Sequence, residues 1–247
     1  MHDLSIDLET LGTRPNAPIV AIGAVMFDRE TGEIGDEFYA PIKLSSALQH
    51  GTVCPHSLKW WFTQSEKAQA VFISPDAMEL RDALLELSTL IVRHSETIRP
   101  WGNGSTFDIS ILEHAYDVVG LEVPWLFWNV RDMRTIVDAA GAIGLDRDSI
   151  PFAGTEHNAL DDARHQARVI AACWKELAAS PPTVMSSTSL NSALVLKYCE
   201  LTNRDPMGIQ AVSSSEGWIE STFYQVAERE LQAMFAAQAA LALTSKT

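Results

Sequence analysis

Residues 3–9 alternate without a break, Leu4, Ile6 and Leu8 interleaving with Asp3, Ser5, Asp7 and Glu9. A period of two is that of a β-strand with one face buried. The carboxylates of Asp7 and Glu9, two residues apart, therefore leave the same face of that strand. Like charges this close cost stability unless something positive lies between them. The pattern predicts an exposed strand edge or a cation site, and D-x-E alone does not choose between them.

A break at residues 12–18 leads into a β-rich run over 19–27, a Glu30-Thr31-Gly32-Glu33 turn and a third strand around 37–42, which together read as an antiparallel meander. The period then becomes helical over 57–68 and 76–94, the second carrying Leu80, Leu84, Leu87 and Ile91 on one stripe. A strand over 97–101 enters Gly102-Asn103-Gly104-Ser105 and a helix over 107–119. A short strand near Val130, a helix over 133–142 and a long helix over 159–178 follow. Alternating strand and helix indicates an α/β class: a mixed central sheet, meander plus parallel strands, flanked by helices. Pro181-Pro182 ends the long helix, and 183–189 is rich in Ser and Thr. The expected division is one domain over 1–182, then a linker and helical C-terminal extension over 183–247.

With 247 residues the chain can hold one sizeable core and an appended segment. Cys54, Cys173 and Cys199 form no C-x-x-C pair, so neither a zinc site nor a disulfide framework is expected, and a reducing cytoplasm fits. Asp7 and Glu9 interrupt what would be the apolar part of a secretory signal. The longest apolar runs, 19–27 and 233–243, fall short of the ~20 residues that cross a bilayer, so no membrane partner is expected. A net charge of −14, from 18 Lys+Arg against 32 Asp+Glu, opposes nonspecific binding to a polyanion. Any nucleic acid must be held locally, and metal-binding carboxylates would be neutralised by their ions.

Three further residues stand out. Asp108 follows the Gly-rich turn and opens a helix, where α/β folds place functional groups, although the helix dipole alone favours an acid there. His157 and Asp162 are five apart, which suits a loop histidine followed by an acid in the first turns of a helix. Histidine titrates near neutrality and can take a proton from water.

Asp7-Leu8-Glu9-Thr10, Asn103-Gly104-Ser105-Thr106-Phe107-Asp108 and His157-Asn158-Ala159-Leu160-Asp161-Asp162 together resemble, in order, the three motifs of the DEDDh, or DnaQ-like, 3′→5′ exonucleases. Ser57-Leu58-Lys59-Trp60-Trp61 and Phe127-Trp128-Asn129-Val130-Arg131-Asp132 are similar to the phage-type single-strand exodeoxyribonucleases and their bacterial exoribonuclease relatives. The resemblance covers roughly residues 1–180. It implies an RNase H-like fold and hydrolysis of single-stranded DNA or RNA from the 3′ end to nucleoside 5′-monophosphates. It further implies two Mg²⁺ or Mn²⁺ ions on Asp7, Glu9, Asp108 and Asp162, with His157 as base and Asp161 one position out of register. Relatives also suggest a homodimer.

For substrate contact the candidates are Thr10, Leu11, Asn103, Phe107, Trp61 and Arg131. Each has a structural alternative: Leu11 and Phe107 as core, Arg131 and Arg134 as ion-pair partners of Asp132 or Asp138. Adjacent Trp60 and Trp61 cannot share one face, so one is expected in the core and the other, assigned as Trp61, at substrate or a dimer partner. Two other functions compete with the exonuclease. One is a noncatalytic scaffold binding partners through Phe223, Ala227, Leu231 and Phe235; the other is a phosphodiesterase for very short oligonucleotides, which suits the acidic chain.

Overall fold

The structure, a computed structural model, describes residues 1–94 and 97–179. The helical extension expected over 183–247, with Cys199 and the Phe223–Phe235 stripe, lies outside the described residues. Strands β1 (Asp3–Thr10), β2 (Ile19–Phe27) and β3 (Ile34–Pro41) form the meander. Three short helices follow, α1 (Leu44–Gln49), α2 (Pro55–Trp61) and α3 (Glu66–Gln69), then the long α4 (Leu80–His94). The α/β portion comprises β4 (Arg99–Gly102), α5 (Asp108–Val118), β5 (Arg131–Asp132), α6 (Met133–Gly141) and α7 (Ala159–Ala179).

The strands lie in the order β3-β2-β1-β4-β5. β2 runs antiparallel to both neighbours, whereas β1, β4 and β5 are mutually parallel. This is the expected mixed sheet, an antiparallel meander joined to parallel strands. Leu4, Ile6 and Leu8 of β1 and Ile22, Ala24 and Met26 of β2 pack on one face against Leu84, Leu87 and Ile91 of α4 and Leu112 of α5. Val25, Phe27 and Trp101 pack on the other against Ile136 and Ala140 of α6 and Ala163, Ala167 and Ile170 of α7. Each large aliphatic side chain so buried contributes about 1.5–3 kcal/mol, which makes these two layers the main source of stability.

Three local expectations differ from the structure. The helix predicted over 57–68 is broken: the Thr63 hydroxyl donates to the Trp60 carbonyl at 2.7 Å, and Ser65 caps a new helix by accepting from the Ala68 N–H at 3.2 Å. The helix predicted from residue 76 begins at Leu80, because Met78 pairs with Ile42 beyond the end of β3 and donates its N–H to the Pro41 carbonyl at 3.0 Å. Strand β1 is buried on both faces instead of one, since α7 covers its polar side.

That covering is tight, and Gly23 permits it. Gly23 is the β2 partner of Asp7 in the register, and a Cβ placed on it would lie 2.1 Å from the backbone of Ala159, the first residue of α7. At the far end of β1 the buried Asp3 carboxylate accepts from Arg99 Nε at 2.9 Å, Arg99 Nη2 at 2.6 Å and Trp101 Nε1 at 2.8 Å, tying β1 to β4. Gly23→Ala is expected to force the start of α7 off the sheet and lower unfolding free energy by at least about 1–3 kcal/mol in urea titrations. Unchanged stability would mean that α7 does not approach β2 this closely.

Candidate active site

Four segments converge where α7 begins. β1 presents Asp7 and Glu9, the turn after β4 leads to Asp108 at the start of α5, and the first turn of α7 carries Asp162. His157 precedes α7 in a turn, with φ of 62°, the left-handed region that a non-glycine residue adopts only when its surroundings hold it there. Its backbone N–H donates to the Asp162 carboxylate, and its ring packs edge-on against Trp60 at 4.9 Å. The next residue, Asn158, caps the helix by accepting from the N–H groups of Leu160 and Asp161, each at 3.2 Å.

Ligand atoms of Glu9, His157 and Asp162 lie within 4.8 Å of one another, so this group can hold a metal ion. Asp7 lines the same cleft as these three, and the buried Asp108 lies within reach of its charge. The Leu8 N–H donates to Asp108 Oδ1 at 3.3 Å, and Gln166 Nε2 donates to Asp7 Oδ1 at 2.6 Å. Asp161, by contrast, is committed to the scaffold. It accepts from the Thr155 N–H at 2.9 Å and from Arg164 Nη1 at 2.7 Å, and Arg164 in turn holds Glu37 of β3. Gly154 is required for this, because a Cβ there would meet the Asp161 carboxylate at 2.5 Å.

Burial raises the proton affinity of all four acids. Asp7 is pushed well above the usual carboxylate range by burial, then by the charges of Asp108, Glu9 and Asp162. Glu9 rises to about 8 through burial and through Asp162 and Asp108. Asp108 rises to about 7 through burial, opposed by the Leu8 N–H and by Arg134, and Asp162 to about 6 through burial, opposed by the His157 N–H. A site whose acids need compensating positive charge, lined by hard oxygen donors and an imidazole, fits a divalent ion.

Asp7, Glu9, His157 and Asp162 line a cleft of about 660 Å³, and Asp108 is buried away from it. Thr10, Asn103 and Phe107 line it, as proposed for substrate contact. Leu11, Trp61 and Arg131 do not. Leu11 is 3% exposed and packs with Val20 and Trp61. Trp61 is 1% exposed, its Nε1 donating to the Thr10 carbonyl at 2.8 Å, so it props the end of β1 from beneath; Trp60, 40% exposed, is the tryptophan that reaches the cleft. Arg131 donates to the carbonyls of Trp128 and Val130, and Arg134 to Asn103 Oδ1 at 3.3 Å. Lining residues absent from the sequence reading include His56, Arg147, Phe152, His165 and Gln166. Gln166 lies one helical turn after Asp162, a spacing that signals a shared face, whereas no periodicity marks Arg147 or Phe152.

The sequence profile of the Rv2179c-like 3′-5′ exoribonuclease domain matches residues 2–174, well over half of the chain, and spans every acid of this cluster. The chain belongs to the Rv2179c-like 3′-5′ exoribonuclease family. It is therefore a DEDDh 3′→5′ exonuclease acting on nucleic acid. The exodeoxyribonuclease of Enterobacteria phage T4 is 28% identical over 166 residues, covering 56% of this chain and 72% of the phage protein. Solved structures similar to it include the nuclease domain of 3′hExo bound to rAMP (17% identity, TM-score 0.47, covering 69% of this chain and 90% of that one). Another is cell-death related nuclease 4 (13% identity, TM-score 0.49, covering 69% and 62%). No helix among the described residues is long and apolar enough to cross a membrane.

In this Rv2179c-like domain each site acid holds its proton more tightly folded than unfolded, where carboxyls titrate near 4. The stability so gained is complete below about pH 4 and is lost as pH rises through about 6, 7 and 8, the values for Asp162, Asp108 and Glu9. The metal-free protein should accordingly melt at a lower temperature at pH 8 than at pH 5, and Mn²⁺ should raise the pH 8 value most. A melting temperature of the chelated protein that climbs from pH 5 to pH 8 would contradict this.

Proposed function

We propose that this cleft removes nucleotides one at a time from the 3′ end of single-stranded DNA or RNA, releasing nucleoside 5′-monophosphates. The observation that carries the reading is the convergence of Asp7, Glu9, Asp162 and His157 on one cleft, with the buried carboxylate of Asp108 within reach of their charge. The four carboxylates would hold Mg²⁺ or Mn²⁺, two ions per site. Bound there, such ions would neutralise the acids, acidify water and offset the charge gathering on the phosphate.

The chain's own groups supply the rest. His157 takes a proton from the attacking water; the new P–O bond forms as the bond to the 3′ oxygen of the penultimate nucleotide breaks. The left-handed turn and the edge contact with Trp60 fix where that imidazole can go. Gln166 orients Asp7, and the Leu8 N–H orients Asp108. Thr10, Asn103 and Phe107 line the space for the terminal nucleoside, and ring stacking of the Phe107 type is worth about 1–3 kcal/mol per base and tolerates any sequence. The domain responsible extends to about residue 182, with 183–247 as an appended segment.

A phosphodiesterase for very short oligonucleotides is the second reading. It is favoured by the net charge of −14 and by Arg147 being the sole Arg or Lys lining the main cleft among the described residues. Rates on a dinucleotide and a 20-mer separate the two. For either, Asp7→Asn and Asp162→Asn are expected to lower kcat by at least about 10³-fold, by analogy with loss of one preorganised charge-stabilising group. The assay is Mg²⁺-dependent shortening of a 5′-labelled oligonucleotide. Undiminished shortening by both variants would exclude this cluster as the catalytic centre.

A further inference from the structure

An acidic protein that binds a polyanion must find positive charge somewhere, and most of the described cations near the site are engaged elsewhere. Arg134 is held by Asn103, Arg131 by two carbonyls, Arg164 by Glu37 and Asp161, and Arg99 by Asp3. Lys67 lines the neighbouring cleft of about 380 Å³ and not the catalytic one. Arg147 differs. It lies on a short helical turn in the connection between α6 and α7, lines the catalytic cleft, and among the described residues has only a loose 3.9 Å ion pair with adjacent Asp148, whose side chain is 90% exposed.

Two more residues complete this part of the wall. Phe152, from the same connection, packs on the ring of His165 with centroids 5.1 Å apart. His165 lies three residues after Asp162 on α7, about one helical turn along, and both line the cleft. A guanidinium fork beside an imidazole and an aromatic face is suited to a phosphodiester and the base attached to it.

We propose that Arg147, with His165 and Phe152, is the binding site for the phosphodiester one step 5′ of the bond that is cut. The inference rests on the reading of the carboxylate cleft as the place where the 3′-terminal bond is hydrolysed. Its direction follows from the substrate. A 3′ end terminating in a hydroxyl has one phosphate at the scissile position, so any second phosphate lies on the 5′ side. The enzyme therefore prefers a trinucleotide, with two phosphodiesters, to a dinucleotide with one.

The test compares kcat/KM on a dinucleotide, on a trinucleotide, and on a trinucleotide whose 5′ linkage is an uncharged methylphosphonate. The native trinucleotide should be favoured over the other two by about tenfold or more, the size of one charge-assisted hydrogen bond. Arg147→Ala should bring the three substrates close to equality, whatever it does to the absolute rate. Arg147→Lys should keep part of the preference, because it supplies charge without the fork. Arg147→Ala should also flatten the slope of log(kcat/KM) against log[salt] on the native trinucleotide by about 0.7. A wild-type enzyme indifferent to the second phosphate overturns the inference, as does Arg147→Ala with an intact preference and salt slope. A wild-type enzyme that cuts none of the three overturns the nuclease reading itself.

Discussion

Four buried or half-buried carboxylates within reach of one another's charge are the constraint on which the rest of this domain depends. Asp7 feels Asp108, Glu9 and Asp162, and burial alone would already disfavour its ionised form. No fold would assemble such a group for stability. The assembly is maintained by stronger local requirements: the two-sided core around β1 and β2, the close seating of α7 on Gly23, and the hydrogen bonds that Gln166 and the Leu8 N–H give to individual carboxylate oxygens. Ionising the group is costly until positive charge arrives, so affinity for a divalent ion is linked to the release of protons from these acids.

The surrounding structure keeps that cluster from relaxing. Asp161 anchors the turn before α7 through the Thr155 N–H and Arg164, which extends the tie to Glu37 on β3. His157 thereby stays in a left-handed conformation beside Asp162, with its ring against Trp60. Trp61, one position on, holds the end of β1 through the Thr10 carbonyl. Neighbouring residues on one short helix thus serve the cleft and the core respectively.

Much of this could be read from the sequence, for physical reasons that also explain what could not. Strand alternation set Asp7 and Glu9 on one face because a period of two is local. The order of the motifs singled out Asp108, His157 and Asp162, and passed over Asp161, which proves to have structural partners. Burial of the polar face of β1 was illegible, since it depends on a helix about 150 residues away. Trp60 and Trp61 have the same local pattern, and only packing against Leu11 and Val20 decides that Trp61 turns inward. Arg147 and Phe152 lie on an irregular connection, where no periodicity reports direction. Arg131 sits in a recognisable motif, yet nearby carbonyls hold its guanidinium.

A chain this acidic can process a polyanion if charge is arranged locally rather than globally. Ions on the carboxylates would turn the most negative part of the cleft into the part that attracts phosphate. The central claim is that burial and mutual charge raise the proton affinity of these acids, so that binding a divalent ion releases protons from the cluster. Calorimetric titration with Mn²⁺ at pH 6.5, repeated in two buffers of different ionisation enthalpy, measures that exchange directly. The account predicts binding heats that differ between the buffers in proportion to protons released; equal heats, with no proton released on binding, would contradict it.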